Sequence, residues 1–206
     1  MIKIYGSPQS SAGRCFLTLE EVGVKYQRQS LDFRKKEHKS PEYLKLNPNG
    51  KVPTIVDGEL VLWESMAINY YLCEKYKPEL LGKGPEVKAG LMQWSYWGLA
   101  ELQPPLVDML IEKFFVPPDR KNPAVNDKCI DKLMPLFAVL NTHLESREYL
   151  VDNMFSLAEL NVVPTVDIAT AVGIDLGDYP HVQAWLTRCH GRDSYQRFLA
   201  AQKEGA

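Results

Sequence analysis

What is scarce in this 206-residue chain narrows its function first. There is no surplus of basic charge: 24 Lys and Arg face 26 Asp and Glu, for a formal net charge of −2, and the pI is near 6.1. A dedicated nucleic-acid binder would carry a basic face and a pI above roughly 9, so no nucleic-acid partner is expected. No stretch approaches the ~20 consecutive apolar residues that span a bilayer. The opening Met1-Ile2-Lys3-Ile4-Tyr5-Gly6 has neither a basic leader nor a small-residue cleavage site, which predicts a cytoplasmic protein without membrane contact. Cysteine is sparse, with four residues (Cys15, Cys73, Cys129 and Cys189) far apart. They form no Cys-x-x-Cys pair and have no His at ligand spacing, so reduced thiols are expected rather than a disulfide framework or a metal site. Apolar residues make up 45% and charged residues 24%, enough of each to bury a core.

The first half reads as an alpha/beta unit. Ile2-Lys3-Ile4-Tyr5 alternates and is stopped by Gly6-Ser7-Pro8. Ala12, Cys15, Phe16, Leu19 and Val22 then fall on one helical face, with Gly23 as its C-terminal stop. Val24 to Leu31 can form a second strand, parallel to the first across that helix. Val52 to Val56 and Leu60 to Trp63 flank Asp57-Gly58-Glu59, a hairpin signal that makes this pair antiparallel. Ala67, Ile68, Tyr71, Leu72 and Tyr76 predict a further helix with Ser65 as its cap. The order strand, helix, strand, loop, strand, strand, helix predicts a mixed four-stranded sheet covered by helices, as in thioredoxin-like domains. The fold class is thus a thioredoxin-like α+β domain over 1–77, followed by an all-α domain.

Pro78 to Pro85 holds two prolines and two glycines in eight residues, which puts a linker at 78–86 and a second domain at 87–206. Beyond it no strand-like alternation occurs. Leu91, Trp94, Ser95, Gly98 and Leu102 share a face up to Pro104-Pro105, where a kink is expected. Leu133, Leu136, Phe137, Leu140 and Leu144 form a second stripe. Ser156-Leu157-Ala158-Glu159 has capping-box spacing and opens an apolar segment to Val172, with Pro164 inside it. His181 to Leu199 carries at least one more helix, through Val182, Trp185 and Leu186.

Four elements of the first domain can carry chemistry. Pro53 opens a strand, and a cis Val52-Pro53 bond would leave the backbone groups of Val52 facing whatever docks beside the sheet. Glu64-Ser65 stands at a helix N-terminus, where a ligand carboxylate would meet unpaired N–H groups and Ser65, and a ligand ammonium would meet Glu64. Ser10 and Ser11 stand where the first strand hands over to the first helix. Hydroxyl donors there can lower the pKa of a thiol, about 8.5 when unperturbed, although either serine can equally serve as a plain cap. The basic loop Arg34 to Lys39, with Lys51, could hold a second carboxylate. No His/Asp arrangement makes a serine nucleophilic.

In combination, Tyr5-Gly6-Ser7-Pro8-x-Ser10-x-x-x-Arg14, Glu37-His38-Lys39-Ser40-Pro41-Glu42-Tyr43-Leu44, Asn47-Pro48-Asn49-Gly50-Lys51-Val52-Pro53-Thr54 and Leu62-Trp63-Glu64-Ser65-Met66-Ala67-Ile68 resemble the cytosolic glutathione transferases. The likeness is to their serine-type theta- and phi-like members and bacterial relatives. It extends through Phe155 to Glu159 and Tyr179 to Leu186. It implies conjugation of the glutathione thiolate to small, mostly hydrophobic electrophiles, as in detoxification. The thiolate would be stabilised by Ser10, with Ser11 as the alternative. Val52 before cis-Pro53 would pair with the cysteinyl backbone, Glu64 and Ser65 would hold the γ-glutamyl group, and His38 and Lys51 would reach the glycine carboxylate. The helical domain would contribute the electrophile pocket, with Trp94, Trp97, Leu106, Phe114 and Phe115 as candidates. The resemblance further implies a homodimer, no metal and no resident cofactor, glutathione being a cosubstrate. A glutathione-dependent dehalogenase, peroxidase or isomerase on the same fold is the alternative, as is a non-catalytic binding module.

Overall fold

The structure is a computed structural model that describes residues 1–203; the last three residues of the expected helical domain lie outside the described residues. The chain divides into two compact units. One runs from Met1 to Leu81 and takes in the stretch beginning at Gly191, and the other is Gly82–His190.

The first unit contains β1 (Ile2–Tyr5), α1 (Gly13–Val22), β2 (Tyr26–Gln29), α2 (Pro41–Leu46), β3 (Thr54–Asp57), β4 (Leu60–Trp63) and α3 (Ser65–Tyr76). The sheet order is β2-β1-β3-β4. β1 and β2 are parallel, and β3 runs antiparallel to both β1 and β4. This is the mixed four-stranded, thioredoxin-like sheet. Ile2 and Ile4 are buried with Lys3 outward, so the period of two sets which face of β1 meets the helices. α1 buries Cys15, Phe16 and Leu19, the two large apolar side chains Phe16 and Leu19 contributing about 1.5–3 kcal/mol each. It ends at Gly23, whose φ of 71° is left-handed and whose N–H bonds the Leu19 carbonyl; glycine is suited to that position because it lacks the Cβ that crowds this conformation.

Two expectations are corrected here. Ser65 is the first residue of α3 and not its cap; the cap position is Glu64, at φ 72°, with no side-chain hydrogen bond to the helix. Tyr71 and Tyr76 are not part of the buried stripe. Their hydroxyls donate to Asp57 at 2.7 and 2.6 Å, and Lys75 joins them at 2.7 Å. Burial alone would raise the Asp57 carboxyl, but these three donors hold it at about 2. α3 is thereby tied to the β3–β4 hairpin through polar contacts.

The last helix of the described residues, α9 (Asp193–Lys203), packs with the first unit through Glu21. This carboxylate is buried near the end of α1 and accepts from Arg192 Nη2 at 2.7 Å, Arg192 Nε at 3.1 Å, Lys77 at 2.8 Å and Ser194 at 2.5 Å. Burial pushes its pKa up, and the bonds from Arg192, Lys77 and Ser194 more than reverse this, so it lies below its ordinary value of 4.5. A depressed carboxyl contributes stability that is present above the unfolded-state pKa and is lost as pH falls through the folded one. Glu21→Gln should therefore flatten the acid limb of urea-measured stability as pH falls below the ordinary value of 4.5. An acid limb as steep as that of the wild type would remove Glu21 as its source.

The second unit is all helix apart from an isolated bridge between Val151 and Met154. It holds α4 (Pro85–Trp97), α5 (Gln103–Phe114), α6 (Pro123–Leu144), α7 (Leu157–Val172) and α8 (Pro180–His190). The stripe Leu91, Trp94 and Ser95 of α4, continued by Gly98 and Leu102 beyond it, is buried as its spacing predicts. The irregularity expected at Pro104-Pro105 lies one turn earlier, as a π-helical segment over Gly98–Leu102, a common form where a helix absorbs an extra residue. Ser156 and Glu159 make the predicted capping box.

Candidate active site

The strand-to-helix loop of residues 6–12 is drawn close to the sheet by Gly6, which has φ 135°. A Cβ there would meet the Ala12 Cβ at 2.7 Å and that of Val52 at 3.4 Å. The two serines of this loop have different environments. Ser10 is half-buried and occupied by its own turn: its Oγ donates to the Ser7 carbonyl at 2.7 Å and accepts from the N–H groups of Ala12 at 3.1 Å and Ser7 at 3.3 Å. Ser11 is exposed and reaches across to the sheet, where its Oγ donates to the Val52 carbonyl at 2.8 Å.

Val52-Pro53 is a cis peptide bond, and β3 begins only at Thr54. The chain around it is locked from beneath by α2. Tyr43 Oη donates to the Lys51 carbonyl at 2.6 Å and lies 2.8 Å from Thr54 Oγ1. Asn47 Nδ2 donates to the same two atoms at 2.8 and 3.1 Å. Tyr43, Asn47 and Thr54 are all buried, so these bonds are made in a low-dielectric setting where each counts for more than at the surface. The sequence pattern predicts loop over this stretch, where the structure places α2. Its signal was Ser40-Pro41: Ser40 caps α2 by accepting from the Tyr43 N–H, with Pro41 in the first turn.

The remaining candidates flank this edge. Gly50, at φ 56°, passes so close to the basic loop that a Cβ would lie 2.7 Å from the His38 carbonyl and from Lys39 Nζ. The backbone of His38 and the side chain of Lys39 thus lie against Gly50, the sequence neighbour of Lys51. His38 stacks on Phe33 with ring centroids 4.5 Å apart, Lys39 Nζ donates to the Asn49 carbonyl at 2.9 Å, and Lys51 is exposed. At the other end, exposed Glu64 and half-buried Ser65 begin α3. The left-handed φ of Glu64 is one that only a few per cent of non-glycine residues adopt. With no side-chain cap, the first amides of α3 are available to an anion.

This edge therefore offers a backbone carbonyl, a hydroxyl and an uncapped helix N-terminus beside a carboxylate, with Lys39 at the Gly50 turn and exposed Lys51 next to it. Known proteins resemble this chain over its whole length. Residues 1–74 match the family described as "Glutathione S-transferase, N-terminal domain", and residues 105–193 match "Glutathione S-transferase, C-terminal domain". The chain belongs to the glutathione S-transferase family. The rice protein "Probable glutathione S-transferase GSTF2" (Oryza sativa subsp. japonica) is 39% identical, with 100% of this chain and 99% of that one covered. "Glutathione S-transferase 1" of Zea mays is 37% identical over the same shares. Among solved structures, maize glutathione S-transferase I in complex with an atrazine glutathione conjugate superposes with a TM-score of 0.91 at 34% identity, covering 100% of this chain and 99% of that one. These relatives are plant proteins and lend no support to the bacterial placement expected from sequence.

As a glutathione transferase, the chain is an enzyme with a thioredoxin-like domain followed by an all-helical one. Among the described residues no helix is long and apolar enough to cross a membrane. Of the residues expected at an electrophile pocket, Trp94 and Leu106 are buried inside the helical unit, whereas Phe114 and Phe115 are 58% and 72% exposed. None of the four cysteines forms a disulfide among the described residues, and all are buried. Burial pushes the Cys15 thiol far above its ordinary value, which leaves it an inert part of the core.

Proposed function

We propose that this transferase activates glutathione as a thiolate held by the hydroxyl of Ser11 and conjugates it to small, mostly hydrophobic electrophiles. The contact of Ser11 Oγ with the Val52 carbonyl carries this reading. It sets a donor beside the edge where the cysteinyl backbone of glutathione would pair with Val52, while the hydroxyl of Ser10 is taken up in its own turn. Ser10 then shapes the loop and Ser11 touches the sulfur. Glu64 would receive the γ-glutamyl ammonium, Ser65 and the first amides of α3 its carboxylate, and His38 and Lys51 the glycine carboxylate. The maize structure with its bound glutathione conjugate supports glutathione as cosubstrate.

The chemistry needs little else. The hydroxyl and the α1 amides favour the thiolate over the thiol, and the thiol proton leaves to water. The sulfur attacks an electrophilic carbon held beside it, and the leaving group departs with the bonding pair. Fixing both reactants makes the step effectively intramolecular. A homodimer belongs to the same reading, to be checked by sedimentation.

The test is an ultraviolet titration of the thiolate of bound glutathione. The wild type should show a thiol pKa well below its free value, Ser11→Ala should raise it, and kcat/KM should fall about 100-fold, the loss typical of removing one donor to a developing anion. Ser10→Ala should change the pKa less. Binding with an unshifted pKa in the wild type would overturn the thiolate mechanism.

A further inference from the structure

We propose that Gln202 is a positioning residue of this site: it fastens the outer side of the loop bearing Ser10 and Ser11 to α9, so that this helix acts as a strap holding the activating hydroxyl in place. This rests on the serine-thiolate reading above and adds what orients the serine.

α9 lies along α1 and ends over the loop. Ser194, Phe198 and Gln202 recur every fourth residue and so share one face of the helix. Ser194 meets Glu21 near the end of α1, Phe198 is buried against Gly13 at its beginning, and Gln202 reaches past α1 to the loop itself. Gly13 permits the approach: a Cβ there would lie 2.6 Å from the Pro8 carbonyl oxygen and 3.7 Å from the Phe198 ring.

From Gln202 a chain of hydrogen bonds leads to the serines. Its Nε2 donates to the Pro8 carbonyl at 3.3 Å, and among the described residues no other donor serves that carbonyl. Its main-chain carbonyl accepts from Gln9 Nε2. Gln9 Oε1 accepts from the Ser7 hydroxyl, whose oxygen takes the Gln9 N–H at 3.2 Å. The Ser7 carbonyl in turn accepts the Ser10 hydroxyl at 2.7 Å and the Ser10 N–H at 2.9 Å, and Ser11 is the next residue. Gln9 and Ser11 are exposed, so hydrogen bonds rather than core packing hold this side of the loop, and segments so held open most easily. A shift at Pro8 and Gln9 therefore passes to the direction of the Ser11 hydroxyl.

The test uses variants of the full chain. Gln202→Met keeps the size of the side chain and removes the donor to Pro8, while Gln202→Ala removes both; the bond from Gln9 survives in each because it lands on the main chain. In both variants the thiol pKa of bound glutathione should rise. Below that pKa, kcat with a chromogenic electrophile should fall about 2- to 10-fold, the worth of one net hydrogen bond. The loss should shrink as pH is raised and the thiolate forms again, and KM for the electrophile should not change. Arg197→Ala loosens α9 elsewhere, where Arg197 donates to Glu20 Oε2 at 3.0 Å and to the Glu20 carbonyl at 2.7 Å. It should lower the melting temperature and leave the thiol pKa alone. If the Gln202 variants keep the wild-type pKa while Ser11→Ala raises it, the strap is overturned and the thiolate reading stands. An equal rise in Arg197→Ala would also overturn it, since any loosening of α9 would then suffice. If the Gln202 variants raise the pKa and Ser11→Ala does not, Gln202 positions another donor of this loop and Ser11 falls. If none of them raises it, both readings fall.

Discussion

Gly6→Ala should lower the melting temperature by about 10 °C and remove most of the transferase activity. The added methyl would lie 2.7 Å from the Ala12 Cβ, inside any tolerable contact, at a φ of 135° that side chains other than glycine rarely adopt. Strain of about 1–3 kcal/mol and overpacking of a similar size combine to about 3–5 kcal/mol, and a chain of this length loses about 2–4 °C per kcal/mol. Relief requires moving Ala12 or Val52. Either shift separates Ser11 from the carbonyl it contacts, so kcat should fall in the fraction that remains folded. Thermal unfolding and turnover of a chromogenic electrophile measure both. Wild-type values would mean that this loop tolerates displacement and that its close approach to the sheet has no catalytic consequence.

Glu159→Ala should be the most damaging change in the helical unit, at about 3–5 kcal/mol from unpaired buried groups. The Glu159 carboxyl is fully buried and accepts from the Leu150 N–H at 2.7 Å, the Ser156 N–H at 2.9 Å and the Ser156 hydroxyl at 2.7 Å. Burial outweighs these donors and pushes its pKa above the ordinary range. Truncation would leave two main-chain donors and a hydroxyl without their acceptor in the interior. Glu159→Gln should recover only part of the loss, because its amide nitrogen must face one of two N–H donors. Urea midpoints of the three proteins decide this. Equal midpoints would show that the capping box contributes nothing to the fold beyond the packing around it.

Legibility in the sequence followed the range of each interaction. The hairpin follows from Asp57-Gly58 and the α7 box from four adjacent residues, because each is set by neighbours within a few positions, while the parallel β1–β2 pair follows from the helix that separates two β-prone runs. The sequence pattern does not predict α2 although its signal, Ser40-Pro41, is present; the helix is only six residues long, follows the charged run 34–39, and buries only Tyr43. Glu21 gave no sign at all. On the helical wheel of α1 it reads as a surface acid, and its partner Arg192 lies 171 residues away.

The candidate site divides in the same way. By itself the sequence determined which chemical groups would assemble, a hydroxyl pair, Val52-Pro53, a helix start at Glu64-Ser65 and basic residues on two loops, since motif and residue type fix charge and hydrogen-bonding capacity. Only the tertiary structure decided that Ser10 closes on its own turn while Ser11 spans 41 positions to Val52. Adjacent serines have the same chemistry, and what separates them is the direction in which the folded backbone points each hydroxyl.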